Sequence, residues 1–288
     1  MKIIEFKKFF IDELIHLYPK TEIDTFFFLL MDDYLNFQRI DTVLNANLEI
    51  KKEQLTILNK ALKRLQKEEP IQYILGKTEF YGLPFLVDKN TLIPRPETEE
   101  LVEWILSEIK NKDTNLSILD IGTGTGCIPI SLAKHLPNAT IYTIDVSSKA
   151  LKIAKQNANL NNVKIHFIEA NILQVNNLNE VLNQNFTFDI IASNPPYVRE
   201  LEKVEIKNNV LQNEPHLALF VPDKNPLLFY NKIADIAKNH LTKNGVLFFE
   251  INQYLGNETR QLIRKKRFTN IELKKDLFGN DRMIRAKN

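Results

Sequence analysis

Residues 186–197, FTFDIIASNPPY, form an apolar run that stops abruptly at Asn194-Pro195-Pro196-Tyr197. Residues 188–192 predict a buried central strand, because a short apolar run without helical spacing suits a strand that is covered on both faces. Two successive prolines provide no backbone N–H group and push the preceding residue into an extended conformation. The chain therefore leaves the predicted sheet with free carbonyls and a polar side chain at the carboxyl end of a strand, where α/β proteins bind ligands.

This turn offers hydrogen-bond acceptors to a planar group that carries an NH2. Asn194 has a side-chain oxygen, the proline turn has backbone carbonyls, and Tyr197 has a flat aromatic face. An amide and an amino-purine both fit this description. Asn and Pro also end strands in ordinary turns, and the residue types alone leave that alternative open. The complete tetrapeptide after an apolar strand resembles the signature of methyltransferases that use S-adenosylmethionine to methylate a planar nitrogen.

Length and composition predict one large and one small domain in a soluble cytoplasmic protein. The chain has 288 residues, of which 44% are hydrophobic, enough for a sizeable core. Its first residues carry charges every few positions and lack the apolar core of a signal peptide or membrane span. Cys127 is the single cysteine, so no intramolecular disulfide can form, which agrees with a reducing compartment.

Charge and histidine content argue against a metal site and against a dedicated polyanion-binding protein. The five histidines lack ligand spacing, so we expect no metal site. Residues 1–85 carry a net charge of −1 and the remainder +3, so neither part resembles a dedicated polyanion-binding protein.

Residues 1–70 predict a small helical bundle. Apolar side chains recur there at three- and four-residue steps, as at Phe6, Phe9, Phe10 and Leu14. The pattern fits a structural appendage and a substrate-recognition module equally well.

Residues 71–96 predict a β-hairpin connector, because glycines at Gly76 and Gly82 alternate with β-branched and aromatic residues. Arg95 and Pro96 then begin a predicted helix with carboxylates in its first turn, where the helix dipole favours them.

Residues 97–288 predict an α/β domain with a glycine-rich turn after its first strand, 118–121. The turn consists of Gly122, Thr123, Gly124, Thr125 and Gly126. Glycines let the backbone pass close to a ligand, and the helix that follows presents free N–H groups. NAD-binding domains use a similar turn, but their third glycine lies three positions after the second, where this chain has Cys127.

Asp145 ends the next predicted strand, about twenty residues after the glycine turn. An acidic residue at this spacing can accept hydrogen bonds from both ribose hydroxyls of an adenosine, and it can equally be the N-cap of a helix that begins near Ser147. A third strand, 164–169, brings Asn171 and Ile172 to the same edge. Asn171 could bond the edge of an adenine and Ile172 could cover its face; an Asn that only shapes the loop is the alternative.

The remaining sequence completes a seven-stranded sheet. Residues 198–226 predict a long loop of the kind that forms lids or binding segments. A turn at 244–245 leads into a strand at 246–251, and strands at 271–275 and 283–286 predict an antiparallel final pair. Seven strands in this order predict a doubly wound sheet with one reversed strand.

Along nearly its whole length the chain resembles bacterial protein-(glutamine-N5) methyltransferases, which modify class I peptide-chain release factors. The landmarks are Gln72-Tyr73-Ile74, Phe80-Tyr81-Gly82-Leu83, Leu92-Ile93-Pro94-Arg95-Pro96-Glu97-Thr98-Glu99, the glycine turn, Asn194-Pro195-Pro196-Tyr197 and Glu214-Pro215. The catalytic turn alone would also fit an adenine or guanine amino-methyltransferase that acts on DNA or RNA, the main alternative. The Pro-Arg-Pro-Glu-Thr segment and the helical N-terminal domain favour the release factor enzyme over that alternative. A second alternative is a non-catalytic partner of the translation machinery that only binds release factor through its helical domain, and the intact ligand loops argue against it.

The resemblance implies a class I S-adenosylmethionine-dependent methyltransferase sheet, preceded in the sequence by a small all-α domain. It implies methyl transfer to the glutamine of a Gly-Gly-Gln motif in translation termination, with S-adenosylhomocysteine as product and no need for nucleic acid or membrane. Residues 1–70 would recognise the release factor. The implied catalytic residues are Asn194, Pro195, Pro196 and Tyr197, and the implied cofactor-binding residues are Gly122, Thr123, Gly124, Thr125, Gly126, Asp145, Asn171, Ile172 and Asn194.

The sequence departs from the family pattern around the adenine pocket. Thr125 stands where serine is usual, Asn171 where aspartate is common, Ile172 where an aromatic residue can occur, and no glycine follows Glu250. No catalytic group is lost. Because an amide nitrogen is a poor nucleophile, we expect the enzyme to position it through hydrogen bonds from its two N–H groups, and we assign no general base.

Overall fold

A computed structural model of the chain describes residues 1–182 and 185–288. The chain divides into two compact units. The helical unit comprises Met1–Gly76 with Lys207–Asn213, and the sheet unit comprises Lys77–Ile206 with Glu214–Asn288.

The elements follow one another in this order. The helices are α1 (Ile3–Leu14), α2 (Lys20–Leu35), α3 (Arg39–Leu44), α4 (Lys52–Leu65), α5 (Ile71–Leu75), α6 (Pro96–Glu108), α7 (Cys127–His135), α8 (Ser148–Leu160), α9 (Leu178–Leu182), α10 (Asn208–Asn213), α11 (Leu228–His240) and α12 (Gly256–Lys265). The strands are β1 (Lys77–Phe80), β2 (Leu83–Leu86), β3 (Ser117–Ile121), β4 (Thr140–Asp145), β5 (His166–Glu169), β6 (Phe188–Ser193), β7 (Val198–Arg199), β8 (Phe220–Val221), β9 (Leu241–Glu250), β10 (Thr269–Lys275) and β11 (Asp281–Lys287).

The helical unit has an aromatic core, as the three- and four-residue spacing predicts. Phe6 and Phe10 lie one turn apart on α1, and both pack against Phe27 of α2 with ring centroids about 6 Å apart. Arg64 of α4 donates to the carbonyl oxygens of Tyr73 and Ile74, so a cation satisfies the free carboxyl end of α5. Helix α5 occupies residues for which the sequence predicts short strands.

The sheet unit is built on seven strands in the order β10-β11-β9-β6-β3-β4-β5. The pairs from β9 to β5 are parallel, and β11 runs antiparallel to both of its neighbours. The predicted doubly wound sheet with one reversed strand is therefore confirmed. Strand β6 lies between β9 and β3, and Ile190, Ile191 and Ala192 are buried, because both faces of a central strand are covered.

Two local predictions were wrong. The turn expected at Asn244-Gly245 lies inside β9, where the pairing with β6 shifts register, so the pair forms an irregularity within a longer strand. Residues 198–226 are not a structureless loop, since they include the β7–β8 pair, α10 and two 3-10 turns, Glu200–Glu205 and His216–Ala218.

The parallel topology positions the site. Strands β3, β4, β5 and β6 run in the same direction, so their carboxyl ends meet at one edge of the sheet. Asp145 is the last residue of β4, and the glycine turn, Asn171 and the Asn-Pro-Pro-Tyr turn lie just beyond the ends of β3, β5 and β6. Among the described residues, no helix has the length and apolar character needed to span a membrane.

Candidate active site

The glycine turn between β3 and α7 needs glycine at two positions for different reasons. Gly124 has φ +53, and its N–H donates to Asp145 Oδ2 over 2.9 Å, so its left-handed backbone aims a donor at that carboxylate. A Cβ on Gly126 would lie 2.9 Å from Ile130 Cδ1 and 3.2 Å from Ala154 Cβ. The close packing of α7 on α8 therefore excludes a side chain at residue 126.

Asp145 is held by the backbone on both sides. Its Oδ1 accepts the Ser147 N–H over 2.8 Å, while its Oδ2 accepts from Gly124. The cap of α8 is Ser147, whose hydroxyl accepts the Ala150 N–H, so Asp145 does not serve as the N-cap. Burial raises the pKa of Asp145 above its usual value, and the backbone donors oppose that rise.

A cavity of about 230 Å³ opens beside these residues at the edge of the sheet. Eight of the predicted residues line it: Gly122, Gly124, Asp145, Asn171, Ile172, Asn194, Pro195 and Pro196. Thr123, Thr125, Gly126 and Tyr197 do not line it; the two threonines are buried in the turn. Asn171 also closes a local turn, because its Oδ1 accepts the Leu173 N–H over 3.1 Å.

Further residues line the cavity, and the sequence did not predict them as site residues. Asn90, Thr91 and Leu92 line one part, and Leu217 and Phe229 line others. The predicted binding segment 198–226 was the only signal for Leu217.

A salt bridge links segments that contribute to these walls. Arg95 Nη2 lies 2.6 Å from Glu214 Oε1, and Glu214 Oε2 accepts the Ile93 N–H over 3.2 Å. The buried Glu214 carboxylate thus ties the segment before α6 to the chain just ahead of Pro215, another cavity residue.

The Asn-Pro-Pro-Tyr turn is anchored by side chains for which the sequence predicts no role in the site. Asn194 Nδ2 donates to Thr98 Oγ1 over 3.1 Å, and Thr98 Oγ1 donates to Glu250 Oε2 over 2.6 Å. Tyr197 donates its hydroxyl to Glu250 Oε1 over 3.0 Å. Burial raises the pKa of both Glu250 and Tyr197. The helix-start pattern explained Thr98 sufficiently, and nothing in the sequence linked it to Glu250.

The glycine turn and the Asn-Pro-Pro-Tyr turn lie next to each other. A Cβ on Gly122 would lie 3.8 Å from the Asn194 carbonyl oxygen, so the glycine turn passes directly beside the Asn-Pro-Pro-Tyr turn. Among the described residues that line the cavity, Asp145 is the only titratable side chain. No group of three His, Cys, Asp or Glu side chains in residues 1–182 and 185–288 is placed to hold a metal ion.

Solved structures and a family profile share this architecture. A methyltransferase from Pyrococcus furiosus aligns with 83% of this chain and 98% of its own at 17% identity and a TM-score of 0.50. The 16S rRNA N2 methyltransferase of T. thermophilus, solved with AdoMet and guanosine, aligns with 74% of this chain and 49% of its own, at 17% identity and a TM-score of 0.52. The Methyltransferase small domain profile matches residues 100–218. The chain therefore has the fold of a methyltransferase.

Full-length relatives identify the family. The release factor glutamine methyltransferase of Flavobacterium psychrophilum is 54% identical over 99% of both chains, and that of Bacteroides thetaiotaomicron is 41% identical over 94% of both. The PrmC N-terminal domain profile matches residues 19–76. The chain belongs to the release factor glutamine methyltransferase family, as the resemblance implies.

Proposed function

We propose that this methyltransferase transfers the methyl group of S-adenosylmethionine to the side-chain amide nitrogen of the Gly-Gly-Gln glutamine in class I release factors. The observation that carries the proposal is the contact between the glycine turn and the Asn194 turn at one cavity. One turn suits a nucleoside-bearing methyl donor, and the other suits a planar amide.

The residues present fit the methyl donor. Each oxygen of Asp145 already accepts one backbone N–H and keeps a second acceptor position, which suits a ribose diol. Gly122 and Gly124 leave the turn without side chains at the cavity surface, and Ile172 supplies an apolar wall. When bound, S-adenosylmethionine supplies an electrophilic sulfonium methyl group.

Asn194 and Pro195 position the substrate. The Asn194 Oδ1 and the Pro195 carbonyl accept the two N–H groups of the target amide, which aims the nitrogen lone pair at the methyl group. Two acceptors also stabilise the positive charge that develops on this nitrogen during transfer. After methyl transfer the cationic amide nitrogen loses one proton to solvent and S-adenosylhomocysteine is the leaving group, so no strong base is needed. Asp145, the only titratable side chain among the described residues that line the cavity, is assigned to the ribose, so we assign no side-chain base there.

Pro196 and Tyr197 complete the proposed acceptor site. Pro196 lines the cavity, whereas Tyr197 packs against the core and bonds Glu250. The packing of the Tyr197 ring on the amide plane stays a prediction.

The helical unit is the proposed recognition module for the release factor. A Gly-Gly-Gln loop is too small a target to distinguish one protein from another, so contacts outside the cavity are needed. Residues 1–70 present an unusual number of exposed apolar side chains for their length, among them Ile40, Val43 and Leu44 on α3. Such a surface suits a protein partner better than nucleic acid or membrane lipid headgroups. We place the reaction in the cytoplasm, where release factors act.

Labelled S-adenosylmethionine tests the activity. The enzyme is incubated separately with unmethylated class I release factor, DNA and RNA, with a release factor whose motif glutamine is replaced by alanine as the matched control. We expect label only in the intact release factor, with mass spectrometry locating it on the motif glutamine. Label in DNA or RNA but not in release factor would reject the proposal.

A further inference from the structure

A buried chain of hydrogen bonds runs from the catalytic turn to the end of β9. Asn194 Nδ2 lies 3.1 Å from Thr98 Oγ1, and Thr98 Oγ1 lies 2.6 Å from Glu250 Oε2. Thr98 is 2% exposed and Glu250 is 1% exposed, whereas Asn194 lines the cavity. The chain therefore connects a cavity residue to a carboxylate that solvent cannot reach.

The chemistry of Asn194, Thr98 and Glu250 determines which group donates and which accepts in these hydrogen bonds. An ionised carboxylate only accepts hydrogen bonds, and a threonine hydroxyl has a single hydrogen to donate. Because Thr98 gives that hydrogen to Glu250, its oxygen can only accept from Asn194. Asn194 must then turn its NH2 toward Thr98, and its Oδ1 is left as the atom free to meet a ligand.

Burial raises the pKa of Glu250, while neighbouring groups favour its ionised form, which only accepts hydrogen bonds. Tyr197 donates to its second oxygen, so hydroxyl donors engage both oxygens. Arg282 lies next to Met283, the residue that pairs with Glu250 across the β9–β11 ladder, and its charge opposes protonation of Glu250. Arg282 itself is held by Asp276 over 3.0 Å. The carboxylate thus has two hydrogen-bond donors and a nearby cation, which is what a buried anion requires.

We propose that Thr98 and Glu250 are positioning residues that orient the Asn194 amide with its oxygen toward the substrate glutamine. The inference rests on the proposed function, because an oxygen is the correct atom only if the substrate presents N–H groups. If the Asn194 amide were rotated by half a turn, its NH2 would face the substrate NH2, and donor would meet donor.

Thr98→Val is the main test, because it removes the hydroxyl at nearly constant shape. We expect the single-turnover rate of release factor methylation at saturating cofactor to fall roughly 10- to 100-fold, the scale of a misplaced reacting group. Affinity for S-adenosylmethionine should stay within a few-fold of wild type. Thr98→Ser restores the hydroxyl and should recover most of the lost rate. Thr259→Val is the matched control, since Thr259 is equally buried but bonds the Leu255 carbonyl in α12.

A double-mutant cycle separates positioning from general support of the fold. If Thr98 acts through Asn194, Thr98→Val should cost almost nothing further in an Asn194→Ala background. Fully additive losses, or a wild-type rate for Thr98→Val, would overturn the inference. Failure of the wild-type enzyme to methylate release factor would instead reject the proposed function, so the two failures are distinguishable.

Glu250→Gln gives an independent test should Thr98→Val not fold. A glutamine amide can donate to Thr98, so the hydrogen bonds from residue 250 through Thr98 to Asn194 can reverse their direction. The rate should therefore fall about tenfold or more. Burial and Glu97 raise the pKa of Glu250, while Thr98, Tyr197 and Arg282 lower it. Because the ionised form orients Asn194, the wild-type rate should drop as pH falls through this raised pKa, and Glu250→Gln should lack that drop. The same acid limb in both enzymes would contradict the role of Glu250.

Discussion

The helical unit and the sheet unit differ in what they bury and what they expose. Of the eighteen buried polar side chains in the described part of the chain, Thr42 alone belongs to the helical unit. Of the twenty exposed large apolar side chains, eleven belong to the helical unit, although it has fewer than a third of the residues. The sheet unit thus buries polar side chains, whereas the helical unit exposes apolar ones.

This difference agrees with the proposed division of labour, in which the sheet unit carries out the chemistry and the helical unit recognises the release factor. Buried polar groups stabilise a fold only when they are paired, and in the sheet unit many of them, such as Thr98, Glu250 and Asn252, support the catalytic turn. Exposed apolar side chains cost solubility and are typical of interaction surfaces.

Asn194→Ala should cause the largest loss. Removing one acceptor of the target NH2 should lower the single-turnover rate by about 10²- to 10³-fold, the scale measured for a single group that stabilises transition-state charge. Cofactor affinity should change far less, since Gly124 and Asp145 are untouched. Asn194→Asp keeps acceptor oxygens but cannot donate to Thr98, so its rate should lie between those of Asn194→Ala and wild type. Rapid-quench measurements at saturating S-adenosylmethionine decide this, and a near-normal rate for Asn194→Ala would refute the mechanism.

Asp145→Ala should act on binding rather than on transfer. Loss of a charged acceptor should weaken S-adenosylmethionine binding by about 1–3 kcal/mol, measured by titration calorimetry on protein with an unchanged melting temperature. Asp189→Ala is the matched control, because Asp189 accepts the Ser117 N–H over 2.9 Å at the opposite edge of the sheet. Undiminished affinity in Asp145→Ala would leave Asp145 as a support of the glycine turn only.

Substitutions on α3 test the display of apolar groups. Val43→Ser combined with Leu44→Ser should lower kcat/KM for intact release factor by about tenfold, equivalent to about 1.4 kcal/mol, because each side chain is more than 60% exposed and available to a partner. Methylation of a short Gly-Gly-Gln peptide should not change. Leu277→Ser combined with Phe278→Ser removes equally exposed apolar groups from the sheet unit and should have no such effect. Equal losses from both pairs would erase the contrast between the units.

Asp120→Asn tests the cost of a buried polar group that the proposed reaction does not use. Burial raises the pKa of Asp120 from 3.8 to about 7. A carboxyl whose pKa is higher in the folded state stabilises the fold fully at pH below 3.8, and this contribution is lost as pH rises through about 7. At pH 8 the variant should therefore match or exceed wild-type stability, by on the order of 1 kcal/mol, with a smaller difference at pH 4. Thermal unfolding at the two pH values measures this, and a variant equally destabilised at both would contradict it.

Local patterns in the sequence determined most of the fold. The apolar run before Asn194, the glycine turn and the acidic residue at Asp145 each predicted a strand end, and parallel pairing brought all three to one edge. The hydrophobic period of a strand or helix and the residue types of a turn depend on neighbours in the sequence, so a single sequence is enough to predict them. Where a local signal was ambiguous, the prediction was wrong. Residues 71–75 form a helix instead of a strand, and Asn244-Gly245 lies inside β9 instead of in a turn. Helix α12 was not predicted at all.

Only the tertiary structure decided how the catalytic turn is supported. Thr98 and Glu250 are 152 residues apart, and each has an adequate local explanation, one as a helix start and the other as a strand end. The same holds for Arg95 and Glu214, 119 residues apart. A sequence records which side chains can donate or accept, but the partner of each is set by how helices pack on the sheet. The residues proposed to contact the ligands could therefore be predicted from the sequence, whereas those proposed to orient them were found only in the fold.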